Sequence, residues 1–527
     1  MGRHLFYRSR FFLNVLQQSG YKANEYWKWI RAHWSTHVLM VEHAAFNLII
    51  LLGLWKLSDW LTDTAIVLII VIFGLFWFGS LSRWIPEKEK KPLVMTPRAT
   101  RLAVLSTVFI ATIPLFGTMM SFQVGVHFPE IYILAFLWII GDLLAPLLFV
   151  PALLILKPVE KYIQNGFVKQ SKAKIKAHPG LKVIGITGSY GKTSTKFVIQ
   201  HILKERLSVC FTPGSYNTPM GICKVINNDL QPVHHVLILE MGARYRGNIK
   251  ELCDIAQPDI AVVTNVGVAH LETFGSQHII ARTKEEILTN MHPEGTAILN
   301  GDDTLVMNMQ TPVGAKRITY GLGKAQFYAT NIRYDSDGCQ FEAHSPAGES
   351  ETVKTRLLGA HNVQNILAAF AVGSIFGMRL KTMALAAESL EPVEHRLELK
   401  KRGNISIIDD AFNSNPVGAA NAVATLSQFT GGKRIIITPG MVELGEIEEE
   451  ENKKFGSAIA RANLDKVYLV GQKRTKPIYA GLELGGFDMN KVSVVNSLFE
   501  ANEDVKQILE PGDIILYEND LPDTYNE

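Results

Sequence analysis

Cysteine is scarce in this chain. Cys210, Cys223, Cys253 and Cys339 are the only 4 in 527 residues, and none forms a CxxC pair. That excludes a zinc ribbon and a disulfide framework, and it fits a reducing cytoplasm. An excess of charge of either sign is missing too: 53 Lys and Arg stand against 50 Asp and Glu, a net +3 that gives no reason to expect nucleic acid. No short apolar core with a small-residue cleavage site follows residues 1–40, which reads against a signal peptide. The general phosphate-loop pattern G-x-x-x-x-G-K-[ST] is incomplete, because Ile186 stands where its first glycine belongs.

Apolar residues are present in an ordinary amount, 47%, but they are unevenly spread. Residues 1–40 interleave Arg3, Arg8, Arg10, Lys22, Lys28 and Arg31 with Phe6, Tyr7, Phe11, Phe12, Tyr26, Trp27, Trp29 and Trp34. That mixture suits an arm lying at a membrane interface. Apolar runs follow at 43–60, 64–82, 102–122 and 131–156, each near the roughly 20 residues that cross a hydrocarbon core. Lys and Arg crowd the segment from Arg83 to Arg101 and the one from Lys157 to Lys176, and they are absent from 57–63 and 123–130. The positive-inside rule then predicts a multi-pass protein of the cytoplasmic membrane, with four spans, both termini in the cytoplasm and the lipid bilayer as a partner. Asp142, inside the fourth run, is a functional candidate on that reading.

Past residue 180 the pattern becomes that of a soluble α/β protein. Val183, Ile184 and Ile186 read as a buried strand, followed by a glycine loop and an apolar-striped helix carrying Val198, Ile199, Ile202 and Leu203. Strand, loop and helix in that order build a phosphate cradle from Gly188, Ser189, Gly191, Lys192, Thr193 and Ser194. Lys192 would reach the outer phosphates of a nucleotide and the Thr193 hydroxyl would hold Mg²⁺. The strand VLILE stops on Glu240, at the carboxyl end where ligands gather in parallel sheets, so Glu240 is a second Mg²⁺ ligand candidate. A further strand runs to Asn265, Gly267 and His270, and a neutral imidazole there is a reasonable metal ligand. Lys284, on a helix, reads from its type alone as a solvated lysine.

The loop TGSYGKTST resembles that of the Mur ligases, the ATP-dependent amide-forming enzymes of cell-wall precursor synthesis. FTPGSYNTPMG places Thr212, Gly214, Asn217 and Gly221 where that family lines its reaction centre. TNVGVAHLETFGS followed by ARTKEEIL is similar to the MurF type, which adds D-alanyl-D-alanine to the muramyl tripeptide. The resemblance implies that Lys284 is carbamylated and holds a second Mg²⁺. It implies adenine contacts at His361, Asn362 and Asn365 in GAHNVQN, residues that would also serve as helix caps. It makes Arg396, in EPVEHRLE, a cation for the ATP phosphates. It assigns Asp409, Asp410, Asn413 and Asn415, in DDAFNSNP, to nucleotide and amine contacts. The family's closing K-G-S-R is absent, and Glu518 and Asp520 stand there instead.

The expected class is therefore α/β: an arm at 1–40, a four-helix transmembrane region at 41–157, a linker at 158–180, a central P-loop Mur ligase ATPase domain at 181–395 and a C-terminal Rossmann-like domain at 396–527. The expected activity joins a UDP-linked or lipid-linked muramyl peptide to an amino acid or dipeptide amine through an acyl phosphate. Lys192, His270, Lys284 and Arg396 form its catalytic set, and other cell-wall enzymes are expected partners. A polyglutamate-like wall polymer is an alternative product. A membrane P-loop ATPase or an inactive scaffold are alternatives of another class.

Overall fold

The computed structural model describes residues 2–38, 92–124, 130–214, 216–267, 274–335, 337–392, 395–411, 415–442 and 444–519. It divides into two units, Met1–Gly166 and Phe167–Glu527.

In the first unit, α1 (Gly2–Gln18) and α2 (Ala23–Ala32) are followed by a π-helical turn, Trp34–Val38, and by α3 (Pro97–Val124). The long α4 (Glu130–Lys176) begins in this unit and ends in the second, so most of the predicted 158–180 linker is helix. Phe12, Leu13 and Leu16 of α1 and Tyr26 and Ile30 of α2 form one buried cluster with Ala99, Leu102, Phe149, Ala152 and Leu153. The Tyr26 hydroxyl donates to Pro146 O at 2.8 Å. Arg8 is fully buried and donates to Val38 O at 2.5 Å. Farther along, the Glu160 carboxylate accepts from Arg101 Nε at 2.7 Å.

These observations correct the membrane reading. Among the described residues no helix is long and apolar enough to cross a membrane. The four-span topology, the placement in the cytoplasmic membrane and the bilayer as a partner are not sustained. The reason is physical: an apolar run of span length looks the same in sequence whether lipid or protein covers it. Here Ala99, Leu102, Phe149, Ala152 and Leu153 of α3 and α4 are covered by Phe12, Leu13, Leu16, Tyr26 and Ile30 of the arm, whose Phe6, Trp27 and Trp34 stay exposed. The first two runs, at 43–60 and 64–82, and the side chain of Asp142 lie outside what the structure describes.

The second unit holds two sheets. The larger has nine strands in the order β2-β3-β1-β4-β5-β6-β7-β8-β9. β1 (Lys182–Thr187), β2 (Val209–Phe211), β3 (Val236–Glu240), β4 (Ile260–Val263), β5 (Thr296–Asn300) and β6 (Lys316–Gly321) run parallel. β7 (Phe327–Asp335), β8 (Gly338–His344) and β9 (Ser350–Thr355) close the edge as an antiparallel meander. β3 and β4 are buried at every position, as expected for strands covered on both faces. Alternation decides which core each residue of β1 joins. Ile184 and Ile186 pack with Val198, Ile199 and Ile202 of α5 (Lys192–Leu203) and with Ile366 and Phe370. Val183 packs on the opposite side with Leu237, Leu239, Ala261 and Ile287.

Around this sheet lie α6 (Pro219–Asn228), α7 (Asn248–Ile255), α8 (Gln277–Thr289), the single turn α9 (Thr304–Met307), α10 (Ala360–Ile375) and α11 (Leu380–Glu388). The smaller sheet has the order β10-β11-β15-β12-β13-β14. In it β11 (Ile405–Asp410), β12 (Arg434–Thr438), β13 (Lys466–Val470), β14 (Val492–Val495) and β15 (Ile514–Glu518) are parallel, and β10 (Glu398–Arg402) is an antiparallel edge strand. Its helices are α12 (Pro416–Ser427), α13 (Glu448–Ala462), α14 (Lys476–Leu484) and α15 (Leu498–Ile508).

α13 and α14 cross closely through paired glycines. A Cβ on Gly481 would lie 2.1 Å from Lys453 O and 3.0 Å from Gly456 Cα, both backbone atoms. Gly481→Ala is therefore expected to destabilise the C-terminal domain by about 2 kcal/mol or more, read as a lower urea midpoint.

Candidate active site

The loop after β1 leaves the sheet at its carboxyl edge. Gly191 has φ 77°, a left-handed conformation that glycine adopts without strain, and a Cβ on Gly188 would meet Thr264 Oγ1 at 1.9 Å. The end of β4 clamps this loop. Tyr190 N donates to Asn265 Oδ1 at 2.9 Å, Asn265 Nδ2 donates to Tyr190 O at 3.2 Å, and Ser189 N donates to Asn265 O at 2.9 Å. Lys192 Nζ curls back onto Gly188 O at 2.7 Å and Ser189 O at 3.2 Å. Burial holds this ammonium below the usual lysine range; Glu240 opposes that effect and the Arg396 charge adds to it. Ser194 is half-buried in the first turn of α5.

Glu240 is the buried focus of the site. Its Oε2 accepts the Thr193 hydroxyl at 2.9 Å, its Oε1 accepts Asn217 Nδ2 at 3.1 Å, and its backbone N donates to Thr212 Oγ1 at 3.3 Å. Thr193, Glu240, Thr212 and Asn217, nominated from three separate stretches, thus meet. A hydroxyl and a carboxylate beside a glycine cradle are hard oxygen donors of the kind Mg²⁺ takes, so the residues fit that ion. Gly214 and Gly221 flank this group: Gly214 O accepts from Lys196, and Gly221 N donates to Thr218 Oγ1 at 3.3 Å.

Lys284 is 3% exposed, so it is not the solvated lysine that residue type alone would give. Burial and the nearby Lys192 charge push its amine down to about 7, with Glu286 opposing. Glu286 itself accepts from Gly247 N at 2.7 Å and Lys250 N at 3.0 Å, at the start of α7. His270 and Asn413 lie outside the described residues.

At the start of α10, burial pushes His361 down to about 4, with the Arg396 charge adding to it, so the imidazole is neutral at physiological pH. Asn362 and Asn365 spend their amides inside the fold. Asn365 Nδ2 donates to Asn362 Oδ1 at 3.0 Å, Asn365 Oδ1 accepts the Thr195 hydroxyl at 2.8 Å, and Asn362 Nδ2 donates to Leu358 O at 2.8 Å. Arg396 sits between His395 (φ 59°) and Leu397 (φ 46°), two non-glycine residues in left-handed conformations. The carboxylates of β11 hold this turn. Asp410 Oδ1 accepts Leu397 N at 3.0 Å, and Asp409 Oδ2 pairs with His395 Nδ1 at 2.9 Å. The Arg396 charge acts on Lys192, His361 and Asp410, which stand on three different elements. Asn415 caps α12, its side chain accepting from Gly418 N at 3.0 Å.

Ligand atoms of His395, Glu398 and Asp409 lie within 4.8 Å of one another. Lys400 Nζ already bridges the two carboxylates, at 2.9 Å from Glu398 and 2.7 Å from Asp409, so the cluster is balanced without a metal. One residue escaped the sequence reading. Lys196 is fully buried, 3.5 Å from Glu240 Oε2. Its signal was available: three residues before Ile199 and seven before Leu203, it lies in the apolar stripe of α5.

Residues 186–373 match the Mur ligase middle domain and residues 395–517 the Mur ligase, glutamate ligase domain. The UDP-N-acetylmuramoyl-tripeptide–D-alanyl-D-alanine ligase of Bacillus subtilis is 32% identical over 341 residues, 64% of this chain and 73% of that protein. The chain belongs to the Mur ligase family. The ligase of the same name from Escherichia coli is 30% identical over 374 residues, 68% of this chain and 82% of that one. The structure of MurF ligase from Thermotoga maritima in complex with ADP aligns with a TM-score of 0.60 and 28% identity, covering 68% of this chain and 80% of that one. This Mur ligase is accordingly a MurF-like, ATP-dependent enzyme. Both domain matches begin beyond the first unit.

Burial raises Asp410 to about 6, against the Leu397 N–H and Arg396, which favour its charged form. The carboxylate is thus charged above that pH and neutral below it. kcat/KM is expected to fall through an acidic limb near pH 6, and Asp410→Asn, which cannot ionise, is expected to lack that limb.

Proposed function

We propose that this Mur ligase joins the terminal carboxylate of a UDP-linked muramyl tripeptide to the amine of a dipeptide, D-alanyl-D-alanine being the amine its relatives' names indicate. The observation that carries this reading is the meeting of Thr193, Glu240 and Asn217 beside the Lys192 cradle, within electrostatic reach of Arg396. Lys192 binds the outer phosphates of ATP. Thr193 and Glu240 would hold Mg²⁺, with His270 a further ligand by family resemblance alone, and the ion would neutralise phosphate charge. A substrate carboxylate oxygen attacks the γ-phosphorus, ADP departs, and an acyl phosphate forms. The amine nitrogen then attacks the acyl carbon and inorganic phosphate departs with the pair of electrons, while the nitrogen loses its proton. Arg396 stabilises charge on the phosphoryl oxygens, and closure of its domain excludes the water that would hydrolyse the acyl phosphate.

Purified protein supplied with ATP, UDP-muramyl tripeptide and D-alanyl-D-alanine should release phosphate and yield the pentapeptide by mass spectrometry. Lys192→Ala should lower turnover by about 100-fold or more without unfolding. Full activity of that variant would remove the nucleotide assignment.

Lys284 carries the second part of the proposal. Its buried amine, partly neutral near pH 7, takes up CO₂ as a carbamate and becomes an anionic metal ligand. ¹³CO₂ should give a carbamate carbon signal that Lys284→Ala lacks. That variant should be nearly inactive and partly rescued by formate or acetate. Undiminished activity of Lys284→Ala in CO₂-depleted buffer would contradict the assignment.

A further inference from the structure

A carboxylate as deeply buried as Glu240 needs a charge partner. Its side chain is 2% exposed, and Thr193 and Asn217 give it only neutral hydrogen bonds. Lys192 lies within electrostatic reach of Glu240, but its ammonium hydrogen-bonds the Gly188 and Ser189 carbonyls and makes no ion pair with the carboxylate within 4 Å. Lys196 is the cation paired with Glu240: one turn farther along α5, fully buried, with Nζ 3.5 Å from Glu240 Oε2 and donating also to Gly214 O. One ammonium therefore holds both the carboxylate and the loop that carries Thr212 and Asn217.

We propose that Lys196 is a positioning residue that stands in for a metal ion at Glu240, assembling the carboxylate and the Gly214 loop beforehand and making the site a poor binder of a bare divalent cation. The inference rests on the reading of Glu240 as a metal ligand. A dication bonded to Glu240 would sit within a few ångströms of this ammonium, in a place where repulsion is little screened. The penalty is offset when nucleotide phosphates bring negative charge. The metal thus enters with the nucleotide and not ahead of it, which keeps Glu240 from being captured by free cations.

The test is binding of Mn²⁺ alone to the full chain, without nucleotide, followed by electron paramagnetic resonance. Lys196→Met keeps the length and bulk of the side chain and removes its charge. It should bind Mn²⁺ more tightly than the native chain, on the order of tenfold. Lys196→Arg keeps the charge and should bind like the native chain. A loss of packing alone would weaken binding in Lys196→Met or leave it unchanged, and either result would overturn the proposal. If Lys196→Met does not fold, Lys196→Gln is judged by the same titration. Adding Glu240→Gln to Lys196→Met separates the two readings. Loss of the tight site keeps Glu240 as the ligand, whereas its retention removes Glu240 as a ligand and the Lys196 proposal with it. A native-like Lys196→Met whose weaker Mn²⁺ binding is lost with Glu240→Gln overturns the Lys196 proposal alone.

Discussion

The register of β1 between its two neighbours governs most of what the site contains. Ile186 lies opposite Glu240 on β3, and Thr187 lies opposite Val263 on β4. Three parallel strands therefore end within a residue of one another, and the segments leaving them share one edge. One segment becomes the glycine loop, one keeps Glu240 at its last strand position, and one carries Thr264 and Asn265 into hydrogen bonds with the loop. A slip of one residue would exchange the faces of the strand and put Ile184 and Ile186 into the wrong core. The same hydrophobic alternation that stabilises the sheet thus sets the spacing of the hydroxyl, the carboxylate and the loop.

Around that edge the protein gathers cations at some cost. Lys192, Lys196 and Lys284 are all held below the ordinary lysine range, in each case chiefly by burial. The arrangement makes sense for a site that receives a polyphosphate, because the incoming anion relieves repulsion already built into the fold. Arg396 differs from these in being delivered by a turn. The left-handed backbone on both sides of it is held by Asp409 and Asp410, so the arginine's position depends on β11 of the smaller sheet.

Legibility followed the type of signal. β12, β13 and β14 are legible because each is rich in Ile or Val and is followed directly by Pro439, Gly471 or Asn496. β10 went unread because Glu398–Arg402 is largely charged, as an edge strand can afford to be, and β2 because three residues carry no periodicity. In the first third, apolar runs were read as membrane spans from their length, whereas among the described residues no helix is long and apolar enough to cross a membrane. Thr193, Thr212 and Asn217, from distant stretches, all hydrogen-bond to Glu240. Residue type alone could not separate ligand contacts from internal bonding at Asn365, which ties α10 to α5, or at Asn415, a helix cap. Nor could it show that Lys196 and Lys284 are buried.

All four thiols belong to the nine-stranded domain, and each is buried. Cys210 is pushed up to about 11, Cys253 and Cys339 to about 12, and Cys223 is also raised, in every case mainly by burial. Sulfur held as neutral thiol and away from solvent is a poor nucleophile, so an electrophile or peroxide finds little to attack while the domain is closed. Alkylation of this protein consequently keeps time with the opening of its nucleotide-binding domain alone. The first unit and the smaller sheet contribute no sulfhydryl, which makes the native chain its own domain-specific clock.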